Sequence, residues 1–158
     1  MAVIDVVEFE ICNERYALDI SLTREIVEMV PITPVPRAPE HIAGIINLRG
    51  EITNIINLNK ILGLPEKAQR EDQKIIVLVP EAAEGSNTGI IVDDVHAVLQ
   101  ISEEEIEDMK GPLSSEAYVK GIIKIGDKEA SESGDKKRLI VWLDVGKVLS
   151  DILALTKA

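Results

Sequence analysis

Gly44-Ile45-Ile46-Asn47-Leu48-Arg49-Gly50-Glu51 reads as a strand, a tight turn and a returning strand. Strand alternation places Asn47 and Arg49 on one face of the first strand. Gly50 supplies the permissive backbone that a sharp reversal requires. A guanidinium held at such a turn can fork onto a partner's carboxylate or carbonyl. No catalytic group accompanies it, so the stretch points to a docking surface.

The same pattern returns later in the chain. Gly44-Ile45-Ile46, a hairpin, Ile55-Ile56-Asn57-Leu58 and Lys60-Ile61-Leu62 are matched by Gly121-Ile122-Ile123, a hairpin, Ile140-Val141-Trp142-Leu143 and Lys147-Val148-Leu149. Leu18-Asp19-Ile20 is echoed by Val92-Asp93-Asp94-Val95. A single duplication of this kind predicts two small, similar β-barrels. Each alone has a very small core, so the two must share buried surface. The expected division is 1–70 for the first barrel and 71–151 for the second, with the N-terminal strand free to cross over.

Between these landmarks, Val6 to Ile11 and Arg15 to Ile20 read as strands around a turn at Asn13-Glu14. Ser21 to Val30 fits either a helical turn or a strand. Pro31, Pro34, Pro36 and Pro39 force an extended connector. Asn59 to Leu64 reads as a short helix stopped by Gly63 and Pro65. Glu66 to Gln73 reads as a linker. Lys74 to Val79, Thr88 to Val92 and Val95 to Ile101 read as strands, with a loop from Glu81 to Asn87. Ser102-Glu103-Glu104-Glu105 has the form of a capping box and predicts a helix through Met109. Tyr118 to Ile125 and Arg138 to Val145 form a second hairpin around a polar stretch from Gly126 to Lys137. Ser114-Ser115 reads as loop, and Gly146 to Leu155 closes the chain as a helix.

Composition narrows the function classes. Of the 158 residues, 46% are hydrophobic and only 3% aromatic, so the core is aliphatic and biased toward strands. The net charge of -11 disfavours nucleic acid and anionic lipid. Asp5 and Glu8 interrupt any leader, and an apolar run as long as any, Ile75 to Val79, is far short of the ~20 residues of a membrane span. The single cysteine, Cys12, excludes an internal disulfide; it lies in a strand pattern and fits a reducing cytoplasm. Phosphate-loop, nucleophile-elbow and HExxH motifs are missing. His96 lies near Asp93 and Asp94, but three ligands on one extended segment alternate faces, and the aspartates are expected to satisfy backbone groups at a turn.

Several stretches occur together in a telling order: Tyr16-Ala17-Leu18-Asp19-Ile20, Arg24-Glu25-Ile26, the proline connector, and Gly44 to Gly50 in the form G-x-x-N-L-R-G. Gly89-Ile90-Ile91-Val92-Asp93-Asp94-Val95 with Val98-Leu99 follows, and then Leu139 to Leu149. This ordered set resembles the chemotaxis coupling protein family CheW over nearly the whole chain. The resemblance implies a mainly β fold of two SH3-like five-stranded β-barrels packed together, with short helices including a C-terminal one. It implies a non-enzymatic cytoplasmic adaptor, without cofactor or metal and monomeric when isolated. Its implied partners are the histidine kinase CheA, through that kinase's regulatory domain of the same fold, and the cytoplasmic tips of chemoreceptors, the methyl-accepting chemotaxis proteins. Carried onto this chain, the receptor- or kinase-binding residues are Glu25, Asn47, Arg49, Gly50, Val95, Val98 and Leu99.

Two departures accompany the resemblance: Thr23 stands where the family often has valine, and the stretch from Gly126 to Lys137 is longer than a short turn. A regulatory CheW-like module of another two-component signalling protein is an alternative, although a start Met and a closing helix favour a standalone chain. A small-molecule-binding barrel is a second alternative. It requires a polar cluster inside a barrel, whereas the strands read as uniformly aliphatic.

Overall fold

A computed structural model describes residues 3–65, 72–83, 85, 87–107, 118–126 and 137–156. Among the described residues the strands are β1 (Val3–Ile11), β2 (Glu14–Asp19), β3 (Thr23–Glu28), β4 (Ile42–Leu48), β5 (Glu51–Ile56), β6 (Lys74–Leu78), β7 (Thr88–Val92), β8 (Asp94–Ser102), β9 (Ile106–Glu107), β10 (Val119–Gly126) and β11 (Lys137–Leu143). Helices α1 (Leu58–Leu62) and α2 (Val145–Thr156) follow β5 and β11. The expected linker core, the Ser114-Ser115 loop and most of the polar stretch after Gly126 lie outside the described residues.

The strands build two sheets, in the orders β3-β6-β7-β5-β4 and β8-β1-β2-β11-β10-β9. The second has six strands rather than the expected five, because the two-residue β9 is added to β10. These sheets do not divide the chain at 70/71. β6 and β7 join β3 and β5, while the N-terminal β1 and β2 lie between β8 and β11. The unit β1-β2-β3 recurs as β6-β7-β8, and in each the third strand crosses to the other sheet. A linear reading assigns neighbouring strands to one barrel; here the two barrels exchange strands reciprocally.

Closure explains the repeated Gly-Ile-Ile. After β3 the chain returns to bridge β4, with Thr33 and Ile45 exchanging backbone hydrogen bonds of 2.9 and 2.8 Å. A Cβ on Gly44 (φ 151°) would lie 2.2 Å from the Thr33 carbonyl oxygen, so only glycine admits this approach. In the other sheet β9 takes the place of that bridge, pairing Ile106 with Ile123. A Cβ on Gly121 would there meet Ile106 at 3.1 Å. A register shift precedes each glycine, at Ala43 in β4 and Lys120 in β10.

Among the described residues, three apolar clusters form the core. Ile46, Ile55, Ile75, Val77 and Ile91 lie within the five-stranded sheet, and Val6, Ala17, Ile101, Ile123 and Ile140 within the six-stranded one. The largest cluster draws on both sheets and α2, including Phe9, Tyr16, Leu18, Ile76, Leu78, Ile90, Leu143 and Leu149. The expected shared surface is therefore present. It accounts for the unbroken apolar run of β6: Ile75 and Val77 face their own barrel, whereas Ile76 and Leu78 face the shared core.

Local chemistry sets the ends. The Asn57 side chain accepts from the Asn59 amide at 3.1 Å to open α1, and Gly63 (φ 71°) closes it. Cys12 is not a strand residue as expected. It and Asn13 have φ of 53° and 66° and form the two-residue turn between β1 and β2. Ser102 and Glu105 do form the capping box, with the Ser102 amide 3.1 Å from the Glu105 carboxylate. The helix ends after one 3-10 turn because Ile106 and Glu107 are drawn into pairing with β10.

Candidate functional site

Arg49 belongs to the turn, not to the strand that Asn47 occupies. β4 ends at Leu48, and Arg49 and Gly50 are the two central residues, with φ of 50° and 87°. Two positive values make this a mirror-type hairpin turn, which suits the twist of the strands but is unusual for arginine. The Asn47 side chain holds it by accepting from the Gly50 amide at 2.8 Å. The Arg49 side chain is 61% exposed and forms an ion pair with Glu25 on β3. Beside it, Arg24 meets Glu51 at 3.3 Å, and Asn87 donates to the same carboxylate at 3.4 Å. The ion pairs of Glu25 and Arg24 thus tie edge strand β3 to the β4–β5 turn at one end of the five-stranded barrel.

Val95, Val98 and Leu99 lie on β8, the edge of the other sheet. Val98 pairs with Val7 and Ala97 with Glu8, but Val95 pairs with Phe9. His96 is thus an extra residue, a bulge in an edge strand. Because Val7 and Phe9 are two apart on β1, their partners Val98 and Val95 share one face. Val95 packs on the shared core there, while Val98 is 60% exposed. Leu99 pairs with Val6 and packs, partly buried, against the cluster inside the barrel, on the face opposite Val98.

β3 repeats the device. Thr23 pairs with Leu78 and Glu25 with Val77, leaving Arg24 as the inserted residue. Thr23 and Ile26 consequently share the face of Leu78 and Ile76, the shared-core side. Ile26 is exposed, the counterpart of Val98. Ile26, an isoleucine on the polar side of an alternating strand, was not among the predicted residues.

A family model for the CheW-like domain matches residues 5–153. The chain belongs to the CheW-like family. It is 30% identical over 148 residues to a chemotaxis protein CheW of Thermotoga maritima, covering 94% of this chain and 89% of the relative. It is 34% identical over 147 residues to a chemotaxis protein CheW of Treponema pallidum, covering 91% and 81%. The crystal structure of the scaffolding protein TtCheW from Thermoanaerobacter tengcongensis superposes with a TM-score of 0.73 at 35% identity, covering 90% of this chain and 89% of that one.

This CheW-like fold, two SH3-like β domains, separates the predicted residues into two groups. Glu25, Asn47, Arg49 and Gly50 meet at one barrel end, and Val95 and Val98 share a face of β8. Among the described residues, no hydrogen bond or ion pair joins the groups. Asp93 and Asp94 serve backbone groups as expected. Asp93 accepts from the Cys12 amide at 2.8 Å and from the Gln73 side chain at 3.1 Å, and Asp94 accepts from the Val95 amide at 2.9 Å. His96 Nε2 lies 3.1 Å from the Glu10 carboxylate.

The six-stranded barrel is not uniformly aliphatic. Glu8 is only 2% exposed and meets Arg15 at 3.2 Å, and Arg15 also lies 3.7 Å from Glu10. A cavity of about 380 Å³ lies elsewhere, lined by Tyr16, Ile61, Leu62, Tyr118, Val119, Val141 and Leu143, and includes none of the predicted residues. No helix among the described residues is long and apolar enough to cross a membrane.

Proposed function

We propose that this chain is a non-enzymatic cytoplasmic adaptor that couples chemoreceptor tips to the histidine kinase CheA. Family membership over nearly the full length supports the role. The observation that carries the site is Arg49: an exposed guanidinium at a positive-φ turn position, oriented by Glu25. Holding a non-glycine residue in that conformation costs on the order of 1 kcal/mol.

Glu25, Asn47, Arg49 and Gly50 form the polar anchor, and Val95 and Val98 the apolar one. A helical partner laid against β8 gains area from Val98, while arginine is a residue type enriched among interface anchors. Coupling, unlike tethering, requires contacts that differ between kinase states.

The test is kinase autophosphorylation with a receptor fragment, with and without this protein. Protein-dependent stimulation that is lost in Arg49→Glu supports the role and its anchor together. Absence of stimulation, with no co-sedimentation with kinase or receptor, overturns the reading.

A further inference from the structure

We infer that His96 and Glu10 are positioning residues for the docking face of β8; this rests on the proposed role of Val98. Residues three apart on a regular strand point to opposite faces. Val95 and Val98 share a face only because His96 is inserted between the steps opposite Phe9 and Glu8. An inserted residue leaves its ladder locally unpaired, and β8 has β1 on one side only, so the ladder alone fixes the bulge poorly.

Side chains supply what the ladder lacks. His96 Nε2 is 3.1 Å from Glu10 Oε1. Glu10 lies 3.7 Å from Arg15, and Arg15 donates to the buried Glu8 at 3.2 Å. The chain of contacts runs from the exposed bulge on β8, across β1 to β2, and ends on a carboxylate that is 2% exposed. Buried, paired charges hold fixed geometry because breaking them leaves an uncompensated charge. The bulge is thereby fastened to the barrel interior.

The equivalent bulge in β3 supports this independently. Its inserted residue, Arg24, is likewise tied by its side chain, to Glu51 at 3.3 Å. Both edge strands thus turn a pair of residues three apart, Thr23 with Ile26 and Val95 with Val98, toward one face, and both hold the inserted residue by a charged partner.

Two variants test it in the full chain. His96→Leu removes the contact with Glu10, and His96→Gln keeps an N–H donor for it. In His96→Leu, amide hydrogen exchange at Val95 to Val98 is expected to rise at least tenfold with the melting temperature nearly unchanged; His96→Gln restores most of the protection. Unchanged exchange overturns the inference whether or not any partner binds. In kinase coupling with a receptor fragment, His96→Leu is expected to weaken binding about 3- to 10-fold. Combined with Val98→Ala it should add little to the single change, since residues acting as a unit are not additive. Full additivity makes His96 an independent contact and overturns the positioning role. If Val98→Ala alone has no effect on coupling, the functional reading of β8 fails, and the exchange result still decides whether His96 sets the bulge.

Discussion

Arg49 and Glu25 are 24 positions apart in the chain and meet as an ion pair across the seam between β3 and the β4–β5 turn. Arg49 is a turn residue with φ of 50°, and Glu25 pairs with Val77 directly after the residue inserted in β3. Two local irregularities therefore bring the pair together. The barrel does not need it for closure, because Thr33 and Ile45 already close the seam by backbone bonds.

Arg49→Glu is accordingly expected to leave the fold intact. The pair is solvent-exposed on the arginine side, so its loss changes stability by about 1 kcal/mol or less. Receptor-dependent kinase stimulation should fall by about 2 kcal/mol in coupling free energy, the range of an interface anchor. Thermal melts alongside autophosphorylation separate the two effects. An unfolded variant would make Arg49 structural and remove it from the site.

Thr23→Val should stabilise the protein. The Thr23 hydroxyl is buried with no hydrogen-bond partner, and it faces the shared-core side of β3. Valine keeps the shape and removes the orphaned group, for a gain of about 1 kcal/mol. In a chain of this size that corresponds to a rise of roughly 2–4 °C in melting temperature. No rise, or a fall, in denaturation of the variant would show that the hydroxyl finds a partner in solution.

What was legible in the sequence follows from the range of the physics. The β4–β5 hairpin, the Gly63 stop of α1 and the buried strand β6 depend on turn residues, a helix-ending glycine and apolar runs a few positions long, and they stand where the pattern put them. The sheet membership of β1, β2, β6 and β7 depends on pairings far apart in sequence, and nothing local distinguishes a strand that stays from one that crosses. A bulge leaves no signature either: His96 and Arg24 are ordinary polar residues on edge strands. That is why alternation alone could not place Val95 with Val98, or Thr23 with Ile26, on one face. At Ser102 to Glu105 the local signal was read correctly, but it lost to pairing between Ile106 and Ile123.

Gly44→Ala and Gly121→Ala should separate in severity. At Gly44 a Cβ would strike a backbone carbonyl at 2.2 Å in a positive-φ conformation, so the closing bridge must open. Overpacking together with backbone strain predicts a loss of about 2–4 kcal/mol. At Gly121 the first contact is the side chain of Ile106 at 3.1 Å, which can shift, and about 1 kcal/mol is expected. Urea titrations monitored at Trp142, the chain's single tryptophan, read both. Equal losses would mean that closure at Thr33 does not depend on the glycine.

Alkaline pH should loosen the fold through two tyrosines. The Tyr118 hydroxyl donates to the Asp151 carboxylate at 2.8 Å, fastening the start of β10 to α2. That hydrogen bond, then burial, then the Asp151 charge, raise its pKa above the ordinary 10.0. Tyr16 is raised by burial first, then by the charges of Glu14 and Cys12. Both neutral forms are favoured in the folded chain. Their contribution is therefore fully present below the ordinary tyrosine value and is lost as pH rises through the raised folded values. The melting temperature should be insensitive to these groups near pH 8 and should fall at pH above about 10. Tyr118→Phe is expected to melt lower at neutral pH, having lost the Asp151 bond, and to show a shallower alkaline decline, with Tyr16 supplying what remains. An alkaline slope identical to that of the parent would exclude Tyr118 as a source of the pH dependence.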